Sequence, residues 1–344
     1  MCAYFIRRLL LLIPTLFGVT LIVFIITRFV PGGPLEQALM EAQAVDSASG
    51  FAASTGDQPL SEEQLALLKS YYGFDQPWYS AYFQWLGKIF VGDLSESYRW
   101  NEPVTSLMAD RLPISVYYGL ITFFLTYAIC IPLGIVKAIA HRTVIDNTTS
   151  ILIFAGYAVP GYALGALLIL FFSVQLDWFP LGGFVNYQYS HLLPWRVFSD
   201  WEAFLSVVHH SVLPLACYLV GSFAVTTLLM KNHLMDNLAS DYMRTAVAKG
   251  ASFKRAVFKH ALRNSLIPIA TTFGQNLVLF VSGSFLIEFL FDIDGFGLLG
   301  FEAVIQRDYF VVMGVVLVSS LLLLIGNILS DLLVALIDPR VRFQ

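Results

Sequence analysis

DYMRTAVAKGASFKRAVFKHALRNSLIPIATTFG, running from Asp241 to Gly274, is a polar, basic interruption in a mostly apolar chain, with long apolar stretches on either side. Ser240 or Asp241 is placed to cap a short helix through Lys249, with Gly250 just past its end. Ser252 is placed to cap the next helix. There Phe253, Ala256, Val257, His260 and Ala261 fall at i, i+3, i+4, i+7 and i+8, a narrow apolar stripe between basic flanks. The segment 231–264 carries Lys231, Arg244, Lys249, Lys254, Arg255, Lys259 and Arg263 against only Asp236 and Asp241. An amphipathic helix lying on anionic headgroups accounts for that charge. It does not account for a glycine hinge between two capped helices, which has the form of a knob made to fit a groove. Nucleic-acid binding is a poor third reading, because no binding motif accompanies the charge.

The surroundings explain why a docking element here is informative. Of 344 residues, 57% are hydrophobic and 13% charged, and the mean hydropathy is +0.71. A soluble domain of this composition would expose large apolar patches, so the bilayer is the expected solvent. Cys2, Cys130 and Cys217 sit in or beside apolar runs with no CxxC spacing, which fits buried packing better than metal or redox chemistry. Arg7 and Arg8 precede Leu9–Phe29, a run too long for a signal-peptide core and without a small-residue cleavage site. It is expected to remain as a helix.

Six stretches are long enough to cross a hydrocarbon core, at roughly 20 residues each. They are Leu9–Phe29, Ser115–Ala138, Thr149–Val174, Val207–Met230, Ser265–Ile287 and Phe310–Leu336. With the N-terminus inside, residues 1–8, 137–148, 231–264 and the C-terminal tail face the cytoplasm. Those pieces hold Arg7, Arg8, Lys137, Arg142, Arg340 and Arg342 besides the seven basic residues named above, 13 of the 20 Lys+Arg in all. Most of the acids fall on the other side. The opposite orientation would violate the positive-inside tendency. The expected fold is therefore all-α and integral to the membrane, with six transmembrane helices and both termini cytoplasmic. Pro14, Pro132, Pro160, Pro214 and Pro268 lie in or near spans and are expected to bend them. AGYAVPGYALGA (Ala155–Ala166) concentrates Gly156, Pro160, Gly161 and Gly165, which reads as close helix packing rather than a ligand site. Neither an internal repeat nor paired interrupted helices point to an inverted-repeat carrier.

The boundaries divide the chain into an N-terminal span (1–30), an outward helical insertion (31–112) and a core (113–344). Within the insertion, Asp46–Gln58 is small and polar and reads as mobile. A helix capped by Ser61 and ending before Gly73 follows. A second begins near Pro77 and carries Trp78, Tyr79, Tyr82, Phe83 and Trp85. Such aromatic density suits the headgroup layer, with cover over a pore mouth or a partner surface as alternatives. FDIDGFGLLGFEA (Phe291–Ala303) lacks the later ligands of a calcium loop, so Asp292 and Asp294 read as part of a turn at the outer mouth.

The segment around Arg244–Gly250 resembles the cytoplasmic coupling motif of permease subunits from bacterial binding-protein-dependent ABC importers. Arg-Thr-Ala stands where the family commonly has Glu-Ala-Ala, and RNSLIP (Arg263–Pro268) is similar to the peptide/nickel branch. Other matches are RRLLLLIPTLFGV (Arg7–Val19), PGGP (Pro31–Pro34), YYGFDQPW (Tyr71–Trp78), VGDLSES (Val91–Ser97), RLPISV (Arg111–Val116), IPLGI (Ile131–Ile135), WFPLGG (Trp178–Gly183) and the closing IDPRVRF. They cover nearly the whole chain. GFGLLGFEAVIQRDY (Gly295–Tyr309) looks most like the subgroup associated with microcin C-type peptides and oligopeptides. Residues 46–58 match nothing in the family.

The resemblance implies a type I ABC importer permease (MetI-like) fold in the bacterial inner membrane, moving peptides from periplasm to cytoplasm. A nickel or other small-solute permease is the alternative. It also implies three kinds of partner: a periplasmic substrate-binding protein, a homologous second permease subunit and ABC ATPase subunits. ATP and Mg would sit on the ATPase chains, with no cofactor or metal on this one, and this chain would be a non-catalytic subunit. The absence of a GxxxxGK[ST] loop agrees with that division. Arg244, Thr245, Ala246, Lys249, Gly250 and Ala251 are the implied ATPase-coupling residues. Polar groups inside spans are the candidates for the substrate pathway, with Tyr157, Gln275, Asn276 and Ser282 foremost and interhelical hydrogen bonding as the competing role. Ser284 and Asn327 are further candidates, and Glu288 lies near the outer end of the fifth span. Asp331 is expected to pair with Arg340, Arg342 or a neighbouring helix. A self-sufficient channel or secondary carrier would need a coupling-ion site, and mid-span acids are scarce. A membrane-embedded enzyme finds no HExxH or GxSxG motif and no paired metal-ligand histidines in a span.

Overall fold

Apolar runs in lipid must satisfy their backbone hydrogen bonds internally, and helices are how this chain does it. The computed structural model describes residues 2–29, 66, 69–70, 75–190, 196–281 and 283–337, and among these there is no β-strand beyond one isolated bridge between Glu96 and Pro103. The helices are α1 (Cys2–Phe29), α2 (Trp78–Phe90), α3 (Val104–Ile139), α4 (Val144–Ala158), α5 (Gly161–Leu168), α6 (Trp201–Leu238), α7 (Asp241–Ala248), α8 (Phe253–Ala256), α9 (Leu262–Ser265), α10 (Ile267–Val281), α11 (Phe285–Leu290), α12 (Phe296–Ile305) and α13 (Tyr309–Ile337). Wider π-type turns extend α5 through Ile169–Gln175 and join α8 to α9 through Val257–Ala261. The expected Ser61–Gly73 helix and the Asp46–Gln58 stretch lie outside the described residues.

Among the described residues four helices, α1, α3, α6 and α13, are long and apolar enough to cross a membrane. They match four of the expected spans. The third expected span, Thr149–Val174, is not one rod. It begins at Val144 and breaks between α4 and α5, which are bent by 93°. Val159 is extended there and Pro160 opens α5, because proline leaves the carbonyl one turn back without its donor and disfavours a helical residue before it. Pro14, Pro132 and Pro214, by contrast, sit inside uninterrupted helices. The fifth expected span, Ser265–Ile287, is also divided. Its main helix is α10, 15 residues long, and α11 starts separately after an extended Ser284.

Tertiary contacts divide the chain into two units. The first comprises residues 1–10, 110–298 and 321–344, and its organising element is α6. Ile114, Tyr118, Leu213, Cys217, Tyr218, Ile287, Phe291 and Ile293 form one buried cluster. Gly161 and Gly165 let α5 approach Cys217 of α6 and Phe291 without a Cβ in the way, so the packing role expected of the third span's glycines holds. WFPLGG folds as a knot against the same place: Gly183 N–H donates to Phe291 O at 2.7 Å and Ser173 Oγ to Pro180 O at 3.0 Å. Elsewhere in the unit α10 and α13 cross at Gly274 and Gly326, where a Cβ on either residue would meet the other's backbone. Ser330 Oγ accepts the Gly274 N–H across that crossing at 2.6 Å. Asp331 is paired with Arg8 on α1, a neighbouring helix as expected, and the tail residues Arg340 and Arg342 lie outside the described residues.

The second unit comprises residues 11–109 and 299–320. Here α2 divides its aromatics between two faces. Tyr82 and Trp85 are buried with Phe24 of α1 and Met313 of α13, while Trp78, Tyr79 and Phe83 are exposed. Thr20 Oγ1 and Tyr82 Oη lie 2.9 Å apart. Of the five aromatics singled out in the sequence, the outer three therefore remain available to headgroups or a partner, together with Phe90 at the helix end. The VGDLSES turn is tied to the start of α13 by Asp308, which accepts from Ser97 Oγ at 2.5 Å and Arg99 N–H at 3.1 Å.

Candidate functional site

The basic segment folds as a helical hairpin. In α7 the first-turn Asp241 suits the positive end of the helix. The Ser240 hydroxyl, however, bonds back to Asn237 O instead of capping α7. The other end closes as the sequence predicts. Gly250 has φ +88°, its N–H donates to Val247 O at 2.9 Å, and Ala251 N–H reaches Ala246 O at 3.1 Å. These two bonds make a Schellman motif, which needs a left-handed residue and hence favours glycine. Ser252 then caps α8, its Oγ accepting from Arg255 N–H at 3.4 Å.

Met243 anchors α7, buried with Met230 and Leu234 of α6, Ala138 of α3, and Ala256, Val257 and Ala261. Ala246 packs against the same cluster. The expected α8 stripe is only partly realised: Ala256, Val257 and Ala261 are buried, but Phe253 and His260 are exposed. His260 falls within the wide turn at Val257–Ala261, where more residues per turn break the 3.6 period of the stripe. Asn237 Nδ2 and Ser265 Oγ, 3.1 Å apart, and Arg263 Nε donating to Ile337 O at 2.8 Å pin the base of the hairpin to α6 and α13.

What remains uncovered is a shallow concavity between the two limbs. Thr245, Ala246, Lys249, Gly250 and Ala251 line it together with Tyr242, Arg255, Lys259 and His260. Five of the six residues assigned to coupling thus meet on one surface. The sixth, Arg244, is exposed and pairs with Asp241 at 3.5 Å. The lining of the concavity includes the basic Lys249, Arg255 and Lys259 and no acidic residue, which suits an acidic or polar partner rather than a small apolar ligand.

The proposed pathway residues are more scattered. Tyr157 near the end of α4 and Gln275 on α10 are exposed, facing away from this chain's own core. Asn276 Nδ2 donates to Tyr127 Oη at 3.0 Å, which is interhelical hydrogen bonding. Ser282 lies outside the described residues. Ser284 N–H donates to Tyr218 Oη at 3.1 Å.

Two polar clusters were not legible as sites. Glu288 is 1% exposed, with Oε1 accepting from Ser115 Oγ at 2.9 Å and Oε2 from Leu298 N–H at 2.6 Å. Its carboxylate therefore caps the start of α12. The glycines Gly283, Gly295 and Gly297 crowd its side chain, so the Gly-rich run after an acid was the available signal. The second cluster joins Lys137, Asp146 and Lys231, all buried. No spacing rule links residues so far apart in sequence.

Among the described residues, several helices are long and apolar enough to cross a membrane, and a basic hairpin follows one of them. A family model for the inner membrane component of binding-protein-dependent transport systems matches residues 130–343, and the chain belongs to that family. It is a multi-pass inner membrane protein. Over its full length it is 36% identical to the peptidoglycan transport system permease protein YejB of Agrobacterium fabrum (strain C58), covering 99% of that protein. It is 35% identical to the inner membrane ABC transporter permease protein YejB of Escherichia coli O157:H7, with both chains covered completely. It is 33% identical to the oligopeptide transport system permease protein AppB of Bacillus subtilis (strain 168), again over the whole of both. Among solved structures it is similar to an inward facing form of the MetNI methionine ABC transporter, at 15% identity and a TM-score of 0.47, over 67% of this chain and 97% of that one.

Proposed function

We propose that this chain is one permease half of an ATP-driven importer that carries peptides from the periplasm to the cytoplasm. The observation that carries the reading is the α7–Gly250–α8 hairpin, closed by a Schellman turn, whose outer surface has no role in packing among the described residues. A docking ATPase supplies that role. Arg244, Thr245, Ala246, Lys249, Gly250 and Ala251 meet it, and Met243 passes its movement to α6. Peptide cargo is supported by the oligopeptide and di/tripeptide permeases among the relatives.

In this arrangement the chain crosses the membrane six times, counting the bent α4/α5 pair and the divided α10/α11 pair as one crossing each, with both termini in the cytoplasm. The basic residues gathered at the hairpin and the two ends support that sidedness. A homologous second permease completes the pathway, and the exposed Tyr157 and Gln275 face it. ATP and Mg are held by the ATPase subunits, and a periplasmic binding protein delivers cargo to the outer loops. This chain itself carries no cofactor. The drive comes from differential affinity: an ATPase pair that binds one pore conformation more tightly in its ATP state shifts the pore toward that conformation.

The test is Gly250→Arg, which places bulk in the concavity and an unsuitable side chain at a positive φ. The variant is expected to insert and assemble with the second permease, but to lose ATPase co-purification and uptake of a labelled tripeptide. Normal uptake would overturn the docking role. Uptake of nickel in place of every peptide tried would move the cargo to the alternative class.

A further inference from the structure

Lys137, Asp146 and Lys231 come from three different helices and meet in the interior. Lys137 Nζ lies 3.0 Å from Asp146 Oδ1 and also donates to Asp146 O at 2.8 Å, Thr149 Oγ1 at 2.7 Å and Ser150 Oγ at 2.8 Å. Lys231 Nζ reaches Asp146 Oδ1 at 2.7 Å and Oδ2 at 2.8 Å. Arg142 N–H donates to Oδ2 at 3.1 Å, and His141 Nδ1 stands 3.4 Å from the same oxygen. The Lys137 side chain is 0% exposed and that of Asp146 is 3% exposed, so water does little to screen the charges.

Such a cluster is an expensive way to hold helices together, since apolar side chains of similar volume usually hold them at least as well. What it adds is direction. Two ammonium groups on one carboxylate are satisfied only while α3, α4 and α6 keep one relative placement. The cluster's position gives that placement a use. Lys231 follows Met230 and precedes Leu234 on α6, and both of these pack on Met243, the buried anchor of α7. Asp146 sits in the first turn of α4, the limb that leads into the bend at Pro160.

We propose that Lys137, Asp146 and Lys231 form the joint that carries movement of α7 through α6 into the bent α4/α5 pair. Asp146 and Lys231 are the positioning residues for coupling, and Lys137 completes the cluster by tying α3 to α4. The inference rests on the reading of the hairpin as the ATPase contact. Within the joint, the Lys231–Asp146 arm transmits and the Lys137 arm holds α3 in place.

The arms separate experimentally, because Lys231→Met and Lys137→Met each leave one balanced ion pair. Both variants would be purified as the full complex, placed in proteoliposomes, and assayed for ATP hydrolysis and labelled trialanine uptake together. Lys231→Met is expected to assemble and hydrolyse ATP while uptake per ATP falls about tenfold. Lys137→Met is expected to keep its coupling. A merely structural cluster would make the two variants behave alike, and that result, or normal coupling in Lys231→Met, would overturn the joint. Should Lys231→Met fail to assemble, the neutral triple variant Lys137→Met/Asp146→Asn/Lys231→Met carries the same expectation and the same refutation. A failure of the hairpin reading looks different: the unmodified complex would then contain no ATPase at all.

Discussion

Gly250 has nothing within 4 Å of where a Cβ would stand, so space does not require glycine there and backbone conformation does. Gly250→Ala should therefore loosen the Schellman turn by about 1 kcal/mol, the left-handed penalty for an alanine. Hydrogen exchange at Ala251 N–H would report it, with the spans unaffected. Gly274 is the reverse case, a helical conformation with no room, since Gly326 backbone fills the place of its side chain. Gly274→Leu should force α10 from α13 and lower the thermal midpoint of the purified protein, at a cost of about 3 kcal/mol or more. Asp146→Asn leaves two buried ammonium groups without their carboxylate. Removing one partner of such a cluster costs about 3–5 kcal/mol, so this variant should be the least stable of those at the joint. Lys137→Met, which leaves a balanced pair, should lose much less in the same melting measurement.

The bent α4/α5 pair shows how far an element follows its own sequence. Pro160 starts the break, but Gly161 against Cys217 O and Gly165 against Phe291 fix where α5 goes. The bend is therefore expected to survive Pro160→Ala. Spin labels at Leu152 and Leu167 should keep their separation to within about one helical turn of 5.4 Å, whereas a straightened span would lengthen it further. The α8 region makes the same point in the other direction. Its stripe was read with a period of 3.6, but Phe253 and His260 are exposed, His260 within the wide turn at Val257–Ala261.

At the scale of the molecule, charge makes the sharpest statement. Lys254 and Trp178 lie on opposite sides of the membrane in the proposed topology, separated by the span that α6 supplies. Single cysteines placed there, in a background lacking the native three, should react with a membrane-impermeant maleimide from opposite sides. Labelling of both from the periplasm would refute the topology and with it the ATPase contact. The same picture makes the partner face testable. Cysteines at Tyr157 and Gln275 should crosslink to the second permease, while one at exposed Ile22 of α1 should not.

The order of helices, the hairpin with its Gly250 closure and the family could all be read from the chain alone. Each is written in local signals: runs of apolar residues, capping residues at fixed offsets, a glycine at a left-handed position, and basic residues gathered in the segment after α6. Four of the expected spans and the placement of α2 needed nothing more. The breaks in the third and fifth spans, the Glu288 cap and the meeting of Lys137, Asp146 and Lys231 were decided only by tertiary structure. Their partners are distant in sequence, and burial, which makes a charge need a partner at all, is not a property any one segment has by itself.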